Sequence, residues 1–251
     1  MARKYIIAGN WKMYKTIAEA TAFVDAIATE VANSDNAVYL AVPYTAIRPA
    51  SEKTANTNVV IGAQNMNDAD EGAFTGEIAA NMLIEAGAQF VVIGHSERRA
   101  YFNEDNAFIN RKIKKALSAK IQPILCVGET LEDRENNKTE EVLRQQLTES
   151  LADLTAENVG PLVIAYEPVW AIGTGKTATV DVAQETHVFC RSVIKDVFGD
   201  DVAQKITILY GGSVKPENVK ELMAQNDIDG ALVGGAALQP ESFVKLVNFD
   251  K

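Results

Sequence analysis

The chain has little of what marks several common protein classes. Cysteine occurs twice in 251 residues, at Cys126 and Cys190, which gives neither a disulfide framework nor the short spacing of a metal-binding pair. Both lie in apolar periodic stretches, so buried free thiols are expected. No window comes near the ~18 uninterrupted apolar residues of a membrane span. The opening run Met1-Ala-Arg-Lys-Tyr-Ile-Ile-Ala8 is too short in apolar residues for a secretory leader. A cytoplasmic location with no membrane partner is the expectation. Positive charge is in deficit: 24 Lys and Arg face 34 Asp and Glu, a formal net charge of -10. That balance argues against nucleic acid or an anionic membrane as partner. An anionic small molecule would need a locally positive site, built from backbone N–H groups and a few placed Lys or Arg residues.

Nucleotide fingerprints are missing too. Gly175-Lys-Thr177 resembles the end of a P-loop, but the first glycine of that pattern would fall on Trp170. Gly173-Thr-Gly-Lys-Thr-Ala178 fits the loose dinucleotide pattern, yet a Glu-Pro-Val-Trp stretch separates it from the preceding strand. There is no Pro/Ser-rich linker, charge block or composition shift, so residues 1–251 read as one domain.

What the chain has is an alternation. Strand-like apolar runs at Tyr5–Ala8, Val38–Val42, Val59–Ala63, Phe90–Ile93, Gln122–Val127, Leu162–Tyr166, Ile206–Tyr210 and Gly230–Val233 read as strands buried on both faces. Helical periodicity fills Ile17–Val31, Tyr44–Thr54, Ile78–Ala86, Asn106–Ala119, Thr139–Leu151, Val180–Val197, Pro216–Ala224 and Pro240–Val247. Eight strands alternating with eight helices predict an α/β chain closed into a parallel eight-stranded (β/α)8 barrel. A doubly wound open sheet is the competitor; it would show fewer strands and a glycine fingerprint after the first.

A barrel of this kind places its site at the C-terminal ends of the strands. Those ends carry Asn10 and Lys12, Gln64, His95 and Glu97, Glu129, Glu167, Ser213, and the pair Gly234-Gly235. Glycine pairs let backbone N–H groups approach a ligand oxygen, Ser213 adds a hydroxyl, and Lys12 is a compact cation for the same anion. Glu167 is a candidate base; His95 and Asn10 are candidate donors to a developing oxyanion. After Glu167 comes a loop with a stiff start (Pro168, Val169, Trp170), a compliant middle (Ala171, Ile172, Gly173, Thr174, Gly175) and a small-residue end (Lys176, Thr177, Ala178). Such a loop suits a lid that excludes water, which would raise the basicity of Glu167, and Gly173 could add an N–H to the phosphate set. A base facing oxyanion donors beside a phosphate handle is what proton abstraction next to a carbonyl requires.

The motifs Ala8-Gly-Asn-Trp-Lys-Met13, Gly72-Ala-Phe-Thr-Gly-Glu77, Ile93-Gly-His-Ser-Glu-Arg-Arg99, Cys126-Val-Gly-Glu129, Ala165-Tyr-Glu-Pro-Val-Trp-Ala-Ile-Gly-Thr-Gly-Lys176, Tyr210-Gly-Gly-Ser213 and Leu232-Val-Gly-Gly235 run from the first strand to the last. In that order the chain resembles the triosephosphate isomerase family over essentially its whole length. The resemblance implies the TIM-barrel fold and interconversion of dihydroxyacetone phosphate and D-glyceraldehyde 3-phosphate through an enediolate, a step of glycolysis and gluconeogenesis. It implies Glu167 as proton shuttle, His95 as a neutral electrophile, Lys12 and Asn10 holding substrate, and Glu97 in support. Gly173, Ser213, Gly234 and Gly235 would bind phosphate, with no cofactor and no metal. It also implies a homodimer in which the loop from Gln64 to Glu77, with Thr75 near its tip, reaches a second subunit. Two positions depart from the family's pattern: Tyr14 stands where Asn is frequent, and Ala237 where Ser is common, which removes one donor near the phosphate.

Two other readings compete. An aldolase-type lyase would use Lys12 as a Schiff base, which calls for an apolar pocket rather than the company of Asn10 and Glu97. A non-catalytic triose-phosphate binder would have lost Glu167, His95 or Lys12, and all three are present.

Overall fold

The computed structural model describes residues 3–172 and 177–251. The elements run β1 (Ile6–Asn10), α1 (Ile17–Ala28), β2 (Ala37–Val42), α2 (Tyr44–Thr54), β3 (Val59–Ala63), α3 (Ala80–Glu85), β4 (Phe90–Ile93), α4 (Ser96–Phe102), α5 (Asn106–Ser118), β5 (Gln122–Val127), α6 (Leu131–Glu135) and α7 (Thr139–Ser150). They continue with β6 (Val163–Tyr166), α8 (Val180–Phe198), α9 (Asp200–Lys205), β7 (Thr207–Tyr210), α10 (Val219–Met223), β8 (Gly230–Val233) and α11 (Pro240–Val247). The eight strands pair in parallel, each with the next, and β8 closes on β1 to complete the barrel. Gly9 sits beside Leu40 on one flank and Val233 on the other.

Strand periodicity divides the core in two. Side chains alternate across a strand, so one row fills the barrel: Ile6, Ala8, Phe90, Val92, Ile124, Cys126, Val163, Ala165, Leu209 and Leu232 form one buried cluster. The intervening residues, among them Ile7, Leu40, Ile61, Val91, Leu125, Ile164 and Ile208, pack under the helices in the larger cluster. Inside the barrel, Tyr39 stacks on Phe90 with ring centroids 4.7 Å apart. A Cβ on Gly62 would fall 2.4 Å from the Phe90 ring, so the glycine leaves the room the ring occupies.

All eight expected strands are present, four of them shifted by no more than two residues at an end and the other four unshifted. Of the expected helices, α2 and α11 match in full, and Pro240 holds the first helical position of α11. Pro216 lies in a turn before α10 instead of opening the helix. Three helices were not expected. Each of α4, α6 and α9 has seven residues or fewer, too short for an apolar stripe, and each is set by its ends. His95 caps α4, and Asn103 at φ 53 ends it. Thr130 and Asp133 form a capping box on α6. Gly199 at φ 93 parts α9 from α8. No helix of the described residues is long and apolar enough to cross a membrane.

Under β6 and β7, α8 buries His187 completely, its Nδ1 3.1 Å from the Asp227 carbonyl and its ring edge-on to Tyr166. Burial, with Arg191 adding to it, pushes the imidazole down to about 3, and the Asp227 carbonyl opposes this only in part. An unfolded histidine takes up its proton near pH 6.5. Below that pH the unfolded chain binds a proton that the folded one refuses until about pH 3, so stability falls as the pH drops through that window, by on the order of 5 kcal/mol. Urea denaturation at neutral and mildly acid pH checks this: His187→Gln is expected to lose less stability on acidification than the wild type, and equal losses would refute it.

Candidate active site

The inward rows of the barrel continue past the strand ends. Counting on by two from Ala8, Cys126, Ala165, Leu209 and Leu232 leads to Asn10, Gly128, Glu167, Gly211 and Gly234. On β4 the row would end at Gly94. That residue has φ +73, and its Cβ would meet Ile109 at 3.0 Å. The chain bends there, and His95 turns into the rim. These residues border a cavity of about 410 Å3 whose walls include Asn10, Lys12, His95, Glu167, Ser213, Gly234 and Gly235.

Glu167 is 2% exposed and His95 5%, so neither could be left without a partner. Glu167 Oε1 lies 2.9 Å from His95 Nε2, and Oε2 accepts from the Ser96 N–H at 3.0 Å. On the other side of the ring, Nδ1 accepts from the Glu97 N–H at 3.2 Å. A nitrogen that accepts an N–H carries a lone pair, so the imidazole is neutral with its proton on Nε2. Burial is the largest influence on Glu167 and pushes its carboxyl up. The His95 ring at Oε1, the Ser96 N–H and Lys12 together outweigh it, and the group is held below the ordinary carboxylate range. The basicity expected of an enclosed Glu167 is thus absent in this arrangement, because both oxygens are engaged. Burial lowers His95, and the Glu167 carboxylate beside Nε2 reverses that and raises it.

Lys12 occupies a left-handed conformation, φ 52, which costs a non-glycine residue roughly 1–2 kcal/mol. Two side chains hold it there. Asn10 Oδ1 accepts from the Lys12 N–H at 3.0 Å, and Gln64 Nε2 donates to the Lys12 carbonyl at 2.9 Å and to Ala41 at 3.0 Å. At about 0.5–1.5 kcal/mol each, these bonds offset the strain. Because Asn10 uses its oxygen on Lys12, its Nδ2 is the group left to face the cavity. The Lys12 ammonium sits 2.5 Å from Glu97 Oε1, and Gly234 is close enough that its Cβ would meet Lys12 Cε at 3.4 Å. Gly235 starts a single 3-10 turn, Gly235–Leu238, and a Cβ there would meet nothing within 4 Å. The N–H end of that turn is therefore open to an anion.

Gly128 after β5 and Gly211 after β7 have a packing role as well. A Cβ on Gly128 would lie 1.7 Å from the Glu167 carbonyl oxygen, and one on Gly211 would lie 2.8 Å from Glu167 Cγ. They make room for Glu167 itself. A Cβ on Gly212 would lie 2.2 Å from the Tyr210 hydroxyl oxygen.

Of the expected lid, Gly173, Thr174, Gly175 and Lys176 lie outside the described residues. Pro168 leads into a 3-10 turn, Val169–Ala171, and Ala171 and Ile172 line the cavity. Trp170 faces the other way: its Nε1 donates to Glu129 Oε1 at 2.8 Å, an oxygen shared with Tyr166 and Arg134, and Arg134 lies over its ring. Thr177 is exposed and Ala178 buried. Glu97 is not in the cavity wall and reaches it through the Lys12 ammonium and the His95 ring. Thr75 is exposed on its loop and is not part of the cavity wall. Tyr14 stands at the wall, whereas Ala237 is buried against Gly9 and spends its N–H on Gly234. Cys126 and Cys190 are buried free thiols, and burial, then the Glu167 charge, pushes Cys126 well up. Among the described residues no group of three or more His, Cys, Asp or Glu is placed to hold a metal ion.

Sequence reasoning gave no role to Gln64, Ser96 or the anchoring by Glu129. The inward row of β3 runs through Gly62 to Gln64, so the period of two could have marked it. Gln64→Leu is expected to cost about 1–3 kcal/mol, since it removes the amide donor from the Lys12 carbonyl and leaves the Ala41 carbonyl with the Trp11 N–H alone; a urea midpoint equal to that of the wild type would show that Lys12 does not depend on it.

A family model described as triosephosphate isomerase matches residues 5–250. The triosephosphate isomerase of Protochlamydia amoebophila is 56% identical over 246 residues, 98% of this chain and 93% of that one. That of Clostridium novyi is 51% identical over 249 residues, 99% and 100% of the two chains. A crystal structure of triosephosphate isomerase from Bartonella henselae superposes with a TM-score of 0.89 at 41% identity, covering 99% of this chain and 100% of its own.

Proposed function

The chain belongs to the triosephosphate isomerase family and interconverts triose phosphates, and we propose that Glu167 carries the transferred proton. The reading rests on one observation: a buried carboxylate and a neutral imidazole, 2.9 Å apart, face a cavity that also holds Lys12. Glu167 takes the proton from C1 of dihydroxyacetone phosphate, and the C1–H electron pair moves into a C1–C2 double bond. The C2 oxygen gains the negative charge of an enediolate. His95 Nε2–H and Asn10 Nδ2–H donate to the two enediolate oxygens. With a hydroxyl proton passed from the C1 to the C2 oxygen, Glu167 returns its proton to C2 and D-glyceraldehyde 3-phosphate results. The base must leave the Ser96 N–H to reach carbon, and losing that donor raises its basicity when proton abstraction demands it.

The phosphate handle goes to the open N–H end of the Gly235–Leu238 turn, with Ser213 and Lys12 beside it and Gly173 as the lid's contribution. Glu97 orients Lys12. A Schiff base at Lys12 is disfavoured because the Glu97 carboxylate already engages its amine. The lid, from Pro168 to Ala178, closes over the substrate with Trp170 as its fixed end. Glu167→Gln is expected to reduce isomerisation of D-glyceraldehyde 3-phosphate at least 100-fold, as removal of a general base does, with the fold intact by circular dichroism. Near-normal turnover would remove Glu167 from this role.

The chain acts as a cytoplasmic homodimer in glycolysis and gluconeogenesis. Support for the dimer comes from its surface. Phe74 is 53% exposed beside Thr75, and Met13, Tyr14, Tyr101 and Phe102 are also exposed apolar residues on the loops after β1 and in α4. The base of the Thr75 loop is pinned by Asn67, which donates to Glu77 Oε2 at 2.8 Å, so its tip is presented outward. Thr75→Arg places a charge at that tip and is expected to shift sedimentation towards monomer and reduce activity with it. A dimeric, fully active variant would show that this loop is not the interface.

A further inference from the structure

Glu167 is located through its backbone, and a residue outside the cavity wall fixes that backbone. Segment 127–129 runs beside segment 167–169. The Glu167 N–H donates to the Val127 carbonyl at 2.8 Å, and the Val169 N–H to the Glu129 carbonyl at 3.1 Å. Gly128, between them, turns its own N–H and carbonyl to the opposite edge. There Gln146 of α7 meets both: Oε1 accepts from the Gly128 N–H at 2.8 Å, and Nε2 donates to the Gly128 carbonyl at 3.0 Å. One side-chain amide does the work of a neighbouring strand. On its other face Gly128 touches the Glu167 carbonyl so closely that no Cβ fits between them.

Packing alone does not set the base. Glu167 lines a second cavity of about 260 Å3, shared with Ser96, Arg99, Gly128, Gln146 and Val169. It is the wall between two spaces: His95 Nε2 and the Ser96 N–H hold its carboxylate oxygens, and segment 127–129 sets the backbone that carries them. We propose that Gln146 is a positioning residue for the isomerisation: by holding both polar groups of the Gly128 peptide it sets the distance from the Glu167 carboxylate to the reacting carbon. The inference rests on Glu167 being the base.

Steady-state kinetics with D-glyceraldehyde 3-phosphate on four variants test it. Gln146→Met keeps length and volume but neither polar contact; kcat is expected to fall roughly tenfold, a shift of under 1 Å, while KM stays within about twofold because the phosphate contacts are untouched. Gln145→Met, next to it and bonded only to Glu149, is expected to behave as wild type. Gln146→Glu has a donor only as the neutral acid, so its kcat relative to wild type is expected to rise as pH is lowered from about 8 to about 5. Glu167→Gln reports on the underlying reading. A folded Gln146→Met with wild-type kcat beside an inactive Glu167→Gln overturns the positioning role alone. A kcat ratio for Gln146→Glu that is the same at every pH also overturns it, and decides the matter should Gln146→Met not fold. An active Glu167→Gln overturns both.

Discussion

Closure of the sheet decides where the chemistry can sit. In a closed parallel barrel every strand has one row of side chains inside, and that row cannot face solvent or helix at any point along the strand. The rows fill with Ile6, Ala8, Cys126, Ala165 and Leu209 until the barrel's upper rim, where the next inward position no longer has a layer above it. Asn10 and Glu167 occupy those positions. Their burial follows from the row they belong to, and their polarity from the cavity that replaces the next layer. A one-residue slip in register would turn Glu167 under the helices and Tyr166 into the cavity. The pairing of Tyr166 with Val127 and Tyr210 thus fixes the chemistry as firmly as it fixes the fold.

The strands were legible because both faces of each are covered, so continuous apolar runs such as Phe90–Ile93 and Gly230–Val233 leave little choice of boundary. The rim residues were legible as types at strand ends. Their supports were less so. Nothing in Gln64 as a letter distinguishes a solvated amide from one that holds two carbonyls, and Gln146 looks like any polar residue on an exposed helix. Their partners are backbone groups more than 17 residues away in sequence, which no local period encodes. The short helices α4, α6 and α9 were hidden for a related reason. Their ends are made by caps and a left-handed residue, while pattern reading looks for an apolar stripe that five to seven residues cannot carry.

Glycine illustrates how one residue type answers two demands. Gly235 leaves open space beside the cavity, the use expected of the glycine pairs after β7 and β8. Gly128 and Gly211 answer to Glu167 instead. A carboxylate with a peptide packed against its own backbone on two sides is held by geometry that a methyl group would disrupt, and this accounts for glycine at both neighbours of β6.

A protein of net charge -10 that takes a phosphate ester must concentrate its positive potential locally. Here the cation beside Gly234 in the cavity wall, Lys12, is already paired with Glu97, and Glu167 adds a buried negative charge to the same cavity. The neutral state of His95 is what keeps this arrangement workable. A protonated ring between Glu97 and Glu167 would satisfy both acids and leave Glu167 a weak base, whereas a neutral ring gives Glu167 a single N–H and can hand that N–H to substrate oxygen. The Glu97 N–H at Nδ1 holds the ring to that tautomer from the far side. The first turn of α4 therefore sets the protonation state of His95 and, through the Ser96 N–H, the resting place of Glu167. A helix of seven residues, whose first turn lies in the motif Ile93–Arg99, thus joins His95 to Glu167.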